Sequence, residues 1–232
     1  MSENIKKITK AFVVDLDSRE NQNIILKPSA RPFNNQAHQV NEVVEKIAEL
    51  IKDAKHPNDD IILNHNKIKE AFFSPFKPQL KSAQVFLSHS HADKNKALKV
   101  KNYLESKTNH RVFIDSLFWD YKDDVLNELE KYDNTSKIKD AFTLILRESL
   151  QDMIEKCPYF VFLQSNNSVS NQGLSCITYS AWIYEELKIA HSIRESRPTP
   201  MMESWQVSHN ISPFLESLET ITLSKLSHII NS

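Results

Sequence analysis

The sequence predicts an α/β fold in which a parallel sheet is covered by helices on both faces. From Gln84 onwards, short apolar runs of strand length alternate with longer segments of helical periodicity, the pattern of repeated βα units. Polar residues follow the apolar runs, as they do where a site forms at the carboxyl ends of parallel strands. The chain has 232 residues, 40% hydrophobic and 25% charged, which is an ordinary balance for a globular protein with a substantial core.

The chain is interpreted as an N-terminal extension at residues 1–80 and an α/β domain at 82–232, whose core is residues 82–200. Within the extension, apolar residues at i, i+3 and i+4 spacing predict an amphipathic helix from Val40 to Ala54. The other candidate elements of the extension are short strands at Ala11–Leu16 and Asn23–Leu26 and a helical segment at Asn66–Phe73. The extension is mainly helical and buries little apolar area alone, so we expect it to pack against the later domain or another subunit.

Strands and helices alternate in the α/β domain. The predicted strands are Gln84–Ser88, Arg111–Asp115 and Phe160–Leu163, and the predicted helices are Lys94–Ser106, Asp123–Tyr132, Ser136–Glu155 and Trp182–Ile193. Gln164–Gln172 supplies a polar, turn-forming break before the last of these helices. Nearer the C-terminus, the sequence predicts an edge strand at Trp205–Val207 and a closing helix at Leu223–Ile230.

Composition excludes several classes of function. The net charge is −1 and the charges are interleaved, so no nucleic-acid partner is expected. No apolar run approaches the length of a membrane span, and the two cysteines, Cys157 and Cys176, give no disulfide framework; we therefore expect a cytoplasmic protein without a membrane partner. Gly173 is the only glycine, which excludes the glycine-rich phosphate loops of P-loop and Rossmann proteins.

Glu186 is the most informative residue of the last predicted helix of the domain core. With Trp182 at zero and 100° per residue, Glu186 falls at about 40°, inside an arc that also holds Ile183 and Leu187. Glu185 falls at about 300°, on the polar side. A carboxylate on a buried stripe costs free energy, so such a group is usually paired or functional.

The segment Ser88-His89-Ser90-His91-Ala92-Asp93 follows the first strand of the domain and allows three interpretations. H-x-H-x-D resembles the zinc motif of metallo-β-lactamase-like hydrolases, although Lys94 stands where that family has a second histidine. Ser90 and Asp93 are also good helix N-caps. Alternatively, the segment contacts a ligand phosphate at a helix N-terminus.

Four segments together resemble the Toll/interleukin-1 receptor (TIR) domain in its bacterial form: QVFLSHSHADKNKALKVKNYLE, RVFIDSLFW, FVFLQSNNS and SAWIYEELKIA. In that family the first strand ends in a Ser/His loop before an acidic residue, here Ser88–Asp93. The second ends in F-I-D, here Phe113–Asp115, before the mobile BB loop, and the fourth ends in a serine, here Ser165. The motif S-x-W-x-x-x-E stands here as Ser180–Glu186. The resemblance implies a flavodoxin-like sheet.

The resemblance also implies chemistry. Catalytic TIR domains cleave the N-glycosidic bond of NAD+, which is their substrate and not a cofactor, to give ADP-ribose, cyclic isomers or base-exchange products. The family's catalytic glutamate maps onto Glu186, and the tryptophan that faces the dinucleotide maps onto Trp182. The residues matching the strand ends and the BB loop are candidate substrate contacts: Ser88, His89, Ser90, Asp115, Trp119 and Ser165. No metal is expected.

Alternatives remain at this point. Trp119 lies in an aromatic BB loop, Ser116–Tyr121, and either completes a neighbour's site in trans or anchors a rigid loop. Trp182 and Glu186 are alternatively a structural aromatic and a buried ion pair with Arg111, Arg147 or Lys188. The protein as a whole is predicted to be an NAD+-cleaving enzyme of anti-phage defence that self-associates through TIR surfaces and signals to an effector or depletes NAD+. The alternative is a non-enzymatic TIR assembly module; the metal-dependent hydrolase is a third.

Overall fold

The computed structural model describes residues 10–27, 40–53, 65–73, 82–130, 136–172, 175–195 and 209–231. The chain divides into two compact units. The first comprises Met1–Phe33, Ser82–Ser116 and Gln151–Ser232, and the second comprises Asn34–Lys81 and Leu117–Leu150.

The described residues form eight strands and nine α-helices. The strands are β1 (Lys10–Asp15), β2 (Ala83–His89), β3 (Arg111–Ile114), β4 (Tyr159–Gln164), β5 (Ser170–Gln172), β6 (Ser175–Thr178), β7 (His209–Asn210) and β8 (Glu219–Thr220). The helices are α1 (Arg19–Ile25), α2 (Val40–Asp53), α3 (His65–Phe73), α4 (Lys94–Lys107), α5 (Ser116–Leu129), α6 (Ser136–Lys156), α7 (Ala181–Glu195), α8 (Ser212–Glu216) and α9 (Leu223–Asn231). One turn of 3₁₀ helix at His91–Asp93 precedes α4.

The main sheet of the first unit is all parallel, with the strand order β3-β2-β4-β1-β8. Consecutive residues are buried along its central strands, Ala11–Val14 in β1 and Phe160–Leu163 in β4. Side chains of a strand alternate between the two faces, so this burial requires both faces to be covered. The predicted α/β fold with a parallel sheet flanked by helices is thus confirmed.

The position of β1 differs from the sequence interpretation, which placed residues 1–80 in an extension. The strand pairs in parallel with β4 over six residues and with β8 on its other side. The observed order β3-β2-β4-β1-β8 can be compared position by position with the order 2-1-3-4-5 of flavodoxin-like sheets. In this comparison β4 occupies the place of strand 3, and β1 occupies the place of strand 4. The resemblance equates β4, which ends at Gln164, with the family's fourth strand, but in the structure β4 lies directly beside β2. Local pattern marks Ala11–Leu16 as a strand but carries no information on its distant partner.

Three predicted segments have a different conformation. Asn23–Leu26, a candidate strand, belongs mostly to α1, whose first turn is capped by Ser18 accepting from the backbone N–H of Asn21. Ser116–Tyr121, the predicted BB loop, is helical because α5 begins at Ser116 and contains no proline or glycine that would delay it. The polar break after β4 contains β5, which forms a small antiparallel sheet with β6 and β7.

The predicted helix Asp123–Tyr132 belongs to α5, which begins seven residues earlier, and Trp205–Val207 lies outside the described residues. The remaining predicted elements agree with the structure to within a few residues. In the second unit, α2 buries Val43, Val44 and Ile47, as its periodicity predicts. Phe72 of α3 packs edge to face against Phe142 of α6, with ring centroids 5.5 Å apart. Across the described part of the chain, every helix is too short or too polar to cross a membrane.

Candidate active site

Polar side chains replace the aromatic core at the carboxyl ends of β2 and β3. Phe86 stacks on Phe113 of β3 and on Phe160 of β4, with both centroid distances 5.8 Å, so the three rings share one face of the sheet. Two residues further on, the same face carries Ser88 at the end of β2 and Asp115 after β3. Both are buried. The sheet therefore presents a hydroxyl and a carboxyl side by side at one edge of its apolar face.

Helix α7 places Glu186 against these two residues. Its exposed fraction is 0%, as the helical periodicity predicted, and the Ser88 hydroxyl donates a hydrogen bond to Oε2 of Glu186. Among the described residues, Ser88 and Asp115 are the partners of this carboxyl. The predicted ion-pair alternative is not observed for Lys188, which lies 3.6 Å from Glu185 instead.

Both buried carboxyl groups bind protons more tightly than usual. Burial raises the pKa of Glu186 well above the ordinary value, and the neighbouring Asp115 raises it further, while the hydrogen bond from Ser88 opposes the rise. Burial also raises the pKa of Asp115, which nearby His89 and Glu186 offset in part. Desolvation and like charge therefore act together on Glu186.

His89 completes the cluster from the end of β2. Its Nδ1 lies 2.8 Å from the backbone carbonyl oxygen of Ser90, and its Nε2 lies 3.1 Å from the Ser116 hydroxyl and 3.2 Å from Oδ1 of Asp115. A carbonyl oxygen can only accept, so Nδ1 carries a hydrogen. The imidazole is buried. It is thus fixed in orientation, with Nε2 directed at Asp115 and Ser116.

A second polar cluster joins the ends of β1, β2 and β4. Buried Asp93 accepts from the Ser165 hydroxyl at 2.5 Å and from the Asn167 amide at 3.0 Å. Lys96 bridges Asp93 at 3.3 Å and Asp17 at 3.1 Å. A hydrogen bond from the backbone N–H of Asn166 lowers the pKa of Asp17, against the effect of partial burial. Ser165, a predicted substrate contact, therefore belongs to a hydrogen-bonded clamp between strand ends.

The other predicted contacts differ in position. Ser90 is half-buried and accepts through its backbone from His89 and from the N–H of Asp93. Trp182 is half-buried on α7, one helical turn before Glu186. Trp119 lies on α5, in the second unit, and its side chain is outside what the structure describes. Ser88 and Asp115 are thus the predicted contacts that adjoin Glu186, and His89 adjoins Asp115.

The segment 88–93 does not converge on a zinc site, and its predicted capping residues Ser90 and Asp93 occupy the N-cap positions of the 3₁₀ turn and of α4. Zinc binding needs His89, His91 and Asp93 to converge, but His89 is buried against Asp115 while His91 is exposed. Within the described ranges, no group of three or more His, Cys, Asp or Glu side chains is placed to hold a metal ion. Neither Ser90 nor Asp93 makes a side-chain capping hydrogen bond.

Comparison of the chain with protein-family models, curated proteins and solved structures found no match.

Sequence reasoning missed Asp17, Lys96 and Asn167. Asp17 follows the apolar run of β1 and so carried the same signal, a polar residue at a strand end, as Ser165 did. Because residues 1–80 were interpreted as an extension, Asp17 was not considered as part of the strand-end site. Chemically, the Glu186 cluster offers a desolvated carboxyl that can stabilise positive charge when ionised, with a hydroxyl donor and a second carboxyl beside it.

Proposed function

We propose that this chain is a TIR-like enzyme of the bacterial type that cleaves the nicotinamide N-glycosidic bond of NAD+. The observation that carries this proposal is the buried carboxyl of Glu186, held by Ser88 at the end of a parallel strand and adjacent to Asp115. The tryptophan of the motif S-x-W-x-x-x-E lies one turn earlier on the same helix. A role in anti-phage defence, through a signalling product or NAD+ depletion, rests on resemblance alone.

The chemistry needs a carboxylate and no acid. The bond from C1′ of the ribose to the pyridinium nitrogen breaks, the electron pair leaves with neutral nicotinamide, and C1′ acquires oxocarbenium character. Ionised Glu186 beside this ribose would stabilise the developing positive charge. Water then adds to C1′ and loses a proton to give ADP-ribose; attack by a nucleophile of the adenosine portion gives a cyclic isomer.

Burial of Glu186 has a consequence for turnover. With an exposed fraction of 0% for Glu186 and 3% for Asp115, a dinucleotide reaches them only after the covering segments move. We therefore expect activity to depend on a trigger or on self-association.

The test compares neighbouring glutamates. Glu186→Ala should reduce nicotinamide release from NAD+ by about 10²–10³-fold, the typical cost of losing one electrostatic contact to the transition state. Glu185→Ala is the matched control, because Glu185 lies on the same helix, paired with Lys188. Release is measured by chromatography with purified protein, alone and under crowding conditions that favour assembly. Equal losses in both variants would remove Glu186 from the mechanism.

A non-enzymatic TIR assembly module is the second candidate. The observation that favours it is the full burial of the Glu186 and Asp115 carboxyls, which is also expected of a structural pair. It predicts no nicotinamide release from wild type under any condition, together with self-association that Trp119→Ala weakens. Light scattering and the release assay on the same samples separate the two.

A further inference from the structure

We propose that Glu186 and Asp115 hold one proton between them in the resting site. Asp115 acts as a positioning residue that keeps Glu186 protonated, and so masked, until a cationic substrate displaces the proton. The masking step rests on the proposed function, whereas the shared proton does not.

The hydrogen bonds of the site leave two buried acceptors without a partner. Among the described residues, these atoms are Oε1 of Glu186 and Oδ1 of Asp115. One orphan atom lies on each of two neighbouring carboxyls. A proton on Oε1 of Glu186 turns that atom into a donor towards Asp115, and Oε2 keeps the hydrogen bond from Ser88. One proton thus lets Oε1 of Glu186 form a hydrogen bond and gives the Asp115 carboxyl a donor.

The surroundings of the two carboxyls differ, and this difference decides which one keeps the proton. Oδ1 of Asp115 lies 3.2 Å from Nε2 of His89. Burial raises the pKa of Asp115, but the nearby imidazole lowers it and so favours the ionised form. Glu186 has the Ser88 hydroxyl as a donor but no imidazole in that role, and burial and Asp115 together raise its pKa well above the ordinary value. Glu186 is therefore the member that binds the proton.

The titratable and polar groups around the pair come from several elements. His89 lies against Asp115 from β2, and Asp115 itself follows β3. Ser116, at the start of α5, and Ser88, at the end of β2, are the hydroxyls. Elsewhere on α7, Glu185 and Lys188 form an ion pair. With Glu186 protonated, the pair carries one buried negative charge instead of two, which lowers the desolvation cost.

Protonated Glu186 cannot stabilise an oxocarbenium ion, so the resting site is inactive by charge as well as by burial. The nicotinamide ribose of NAD+ brings a positive charge beside the pair, and this charge favours loss of the Glu186 proton to solvent. Substrate binding is therefore coupled to release of a proton.

Three variants separate the roles. Glu186→Gln imitates the protonated state, because its amide oxygen accepts from Ser88 and its NH2 donates to Asp115. Asp115→Asn removes the negative charge and offers a donor to ionised Glu186, so it should lower the pKa of Glu186. Ser88→Ala removes a donor that favours ionised Glu186, so it should raise that pKa. The opposite directions cannot come from general damage to the fold.

The shared proton is tested without any activity. In an infrared pH titration of the full chain, the carbonyl band of a protonated carboxyl, identified by its shift in heavy water, should persist in wild type at neutral pH. The band should be absent in Glu186→Gln. Its absence in folded wild type at neutral pH, or its survival in Glu186→Gln, would refute the shared proton even if the enzyme turns over.

The masking step is tested on nicotinamide release as a function of pH. The rate of nicotinamide release should rise with pH as Glu186 ionises. The midpoint of this rise should lie at lower pH in Asp115→Asn and at higher pH in Ser88→Ala than in wild type. The same midpoint in all three proteins would refute the positioning role of Asp115. If wild type releases no nicotinamide under any condition, the proposed function and the masking step fail together, while the infrared result still decides the proton.

Discussion

Glu186 carries a carboxyl group that normally lies in water, but in this fold it is fully buried. A lone ionised carboxylate at 0% exposure would be too costly to retain. The Ser88 hydroxyl donates a hydrogen bond to Glu186, whereas burial and the neighbouring Asp115 carboxyl favour its protonated form. Because the fold favours the protonated form of Glu186, the free energy of unfolding depends on pH.

We predict that the stability of wild type relative to Glu186→Gln falls as the pH rises. Below the ordinary carboxyl range, the folded and unfolded chains are both protonated at Glu186. Its folded-state pKa is raised, so as the pH rises through the interval between the unfolded and folded values, the unfolded chain ionises first and stability is lost. Urea unfolding of both proteins at several pH values measures this. Parallel curves would show that Glu186 titrates alike in both states.

At the scale of single residues, only part of the site could be predicted from sequence. Burial of Glu186 follows from the 3.6-residue period, which is local. Its partners Ser88 and Asp115 were predicted from the rule that parallel strand ends meet. Ser165 satisfied that rule equally but bonds to Asp93, although β4 lies directly beside β2; the rule predicts a shared edge of the sheet but not which side chains contact each other.

At the scale of elements, the clamp of Asp93, Ser165 and Asn167 fixes the loop after β4 to the start of α4. Asp93→Ala should lower the free energy of unfolding by about 2–3 kcal/mol, because it removes hydrogen bonds to a charged, buried acceptor.

Lys96→Ala is the matched control for this prediction. Its half-exposed ammonium pairs with Asp17 and Asp93, and partly exposed ion pairs contribute about 0–1 kcal/mol. Urea unfolding of the two variants gives the comparison. A loss in Lys96→Ala as large as that in Asp93→Ala would mean that the ion pairs, and not the neutral donors, hold the clamp.

Element type was predicted best where an apolar period ran uninterrupted. Helices α2 and α7 and strands β2 and β4 are of this kind. The hairpin β5–β6 and the helical start of α5 were not predicted. Short polar strands have no alternation to detect, and the aromatic residues of 116–121 suit a binding loop as well as a helix.

At the scale of the whole molecule, β1 is the decisive strand. It lies between β4 and β8 and buries four consecutive residues. A chain that begins at Ser82 should therefore fail to show a cooperative unfolding transition by circular dichroism, because β4 loses its partner and exposes an apolar edge.

Addition of a peptide spanning residues 10–27 is the control for this truncation. If the missing strand is the cause, the peptide should restore part of the folded signal. A fragment that unfolds cooperatively by itself would instead support the division of the chain at residue 80.

By itself the sequence determined what is local: the strand and helix type of the strongly periodic segments, and the buried position of Glu186. It also predicted that Ser88 and Asp115 would lie near that carboxyl, since parallel strand ends share one edge. Only the tertiary structure decided that β1 joins the sheet, that Ser165 bonds to Asp93, and that the Ser88 hydroxyl donates to Oε2 of Glu186. These are pairings between residues far apart in the chain, and hydrophobic periodicity specifies which face is buried but not which partner covers it.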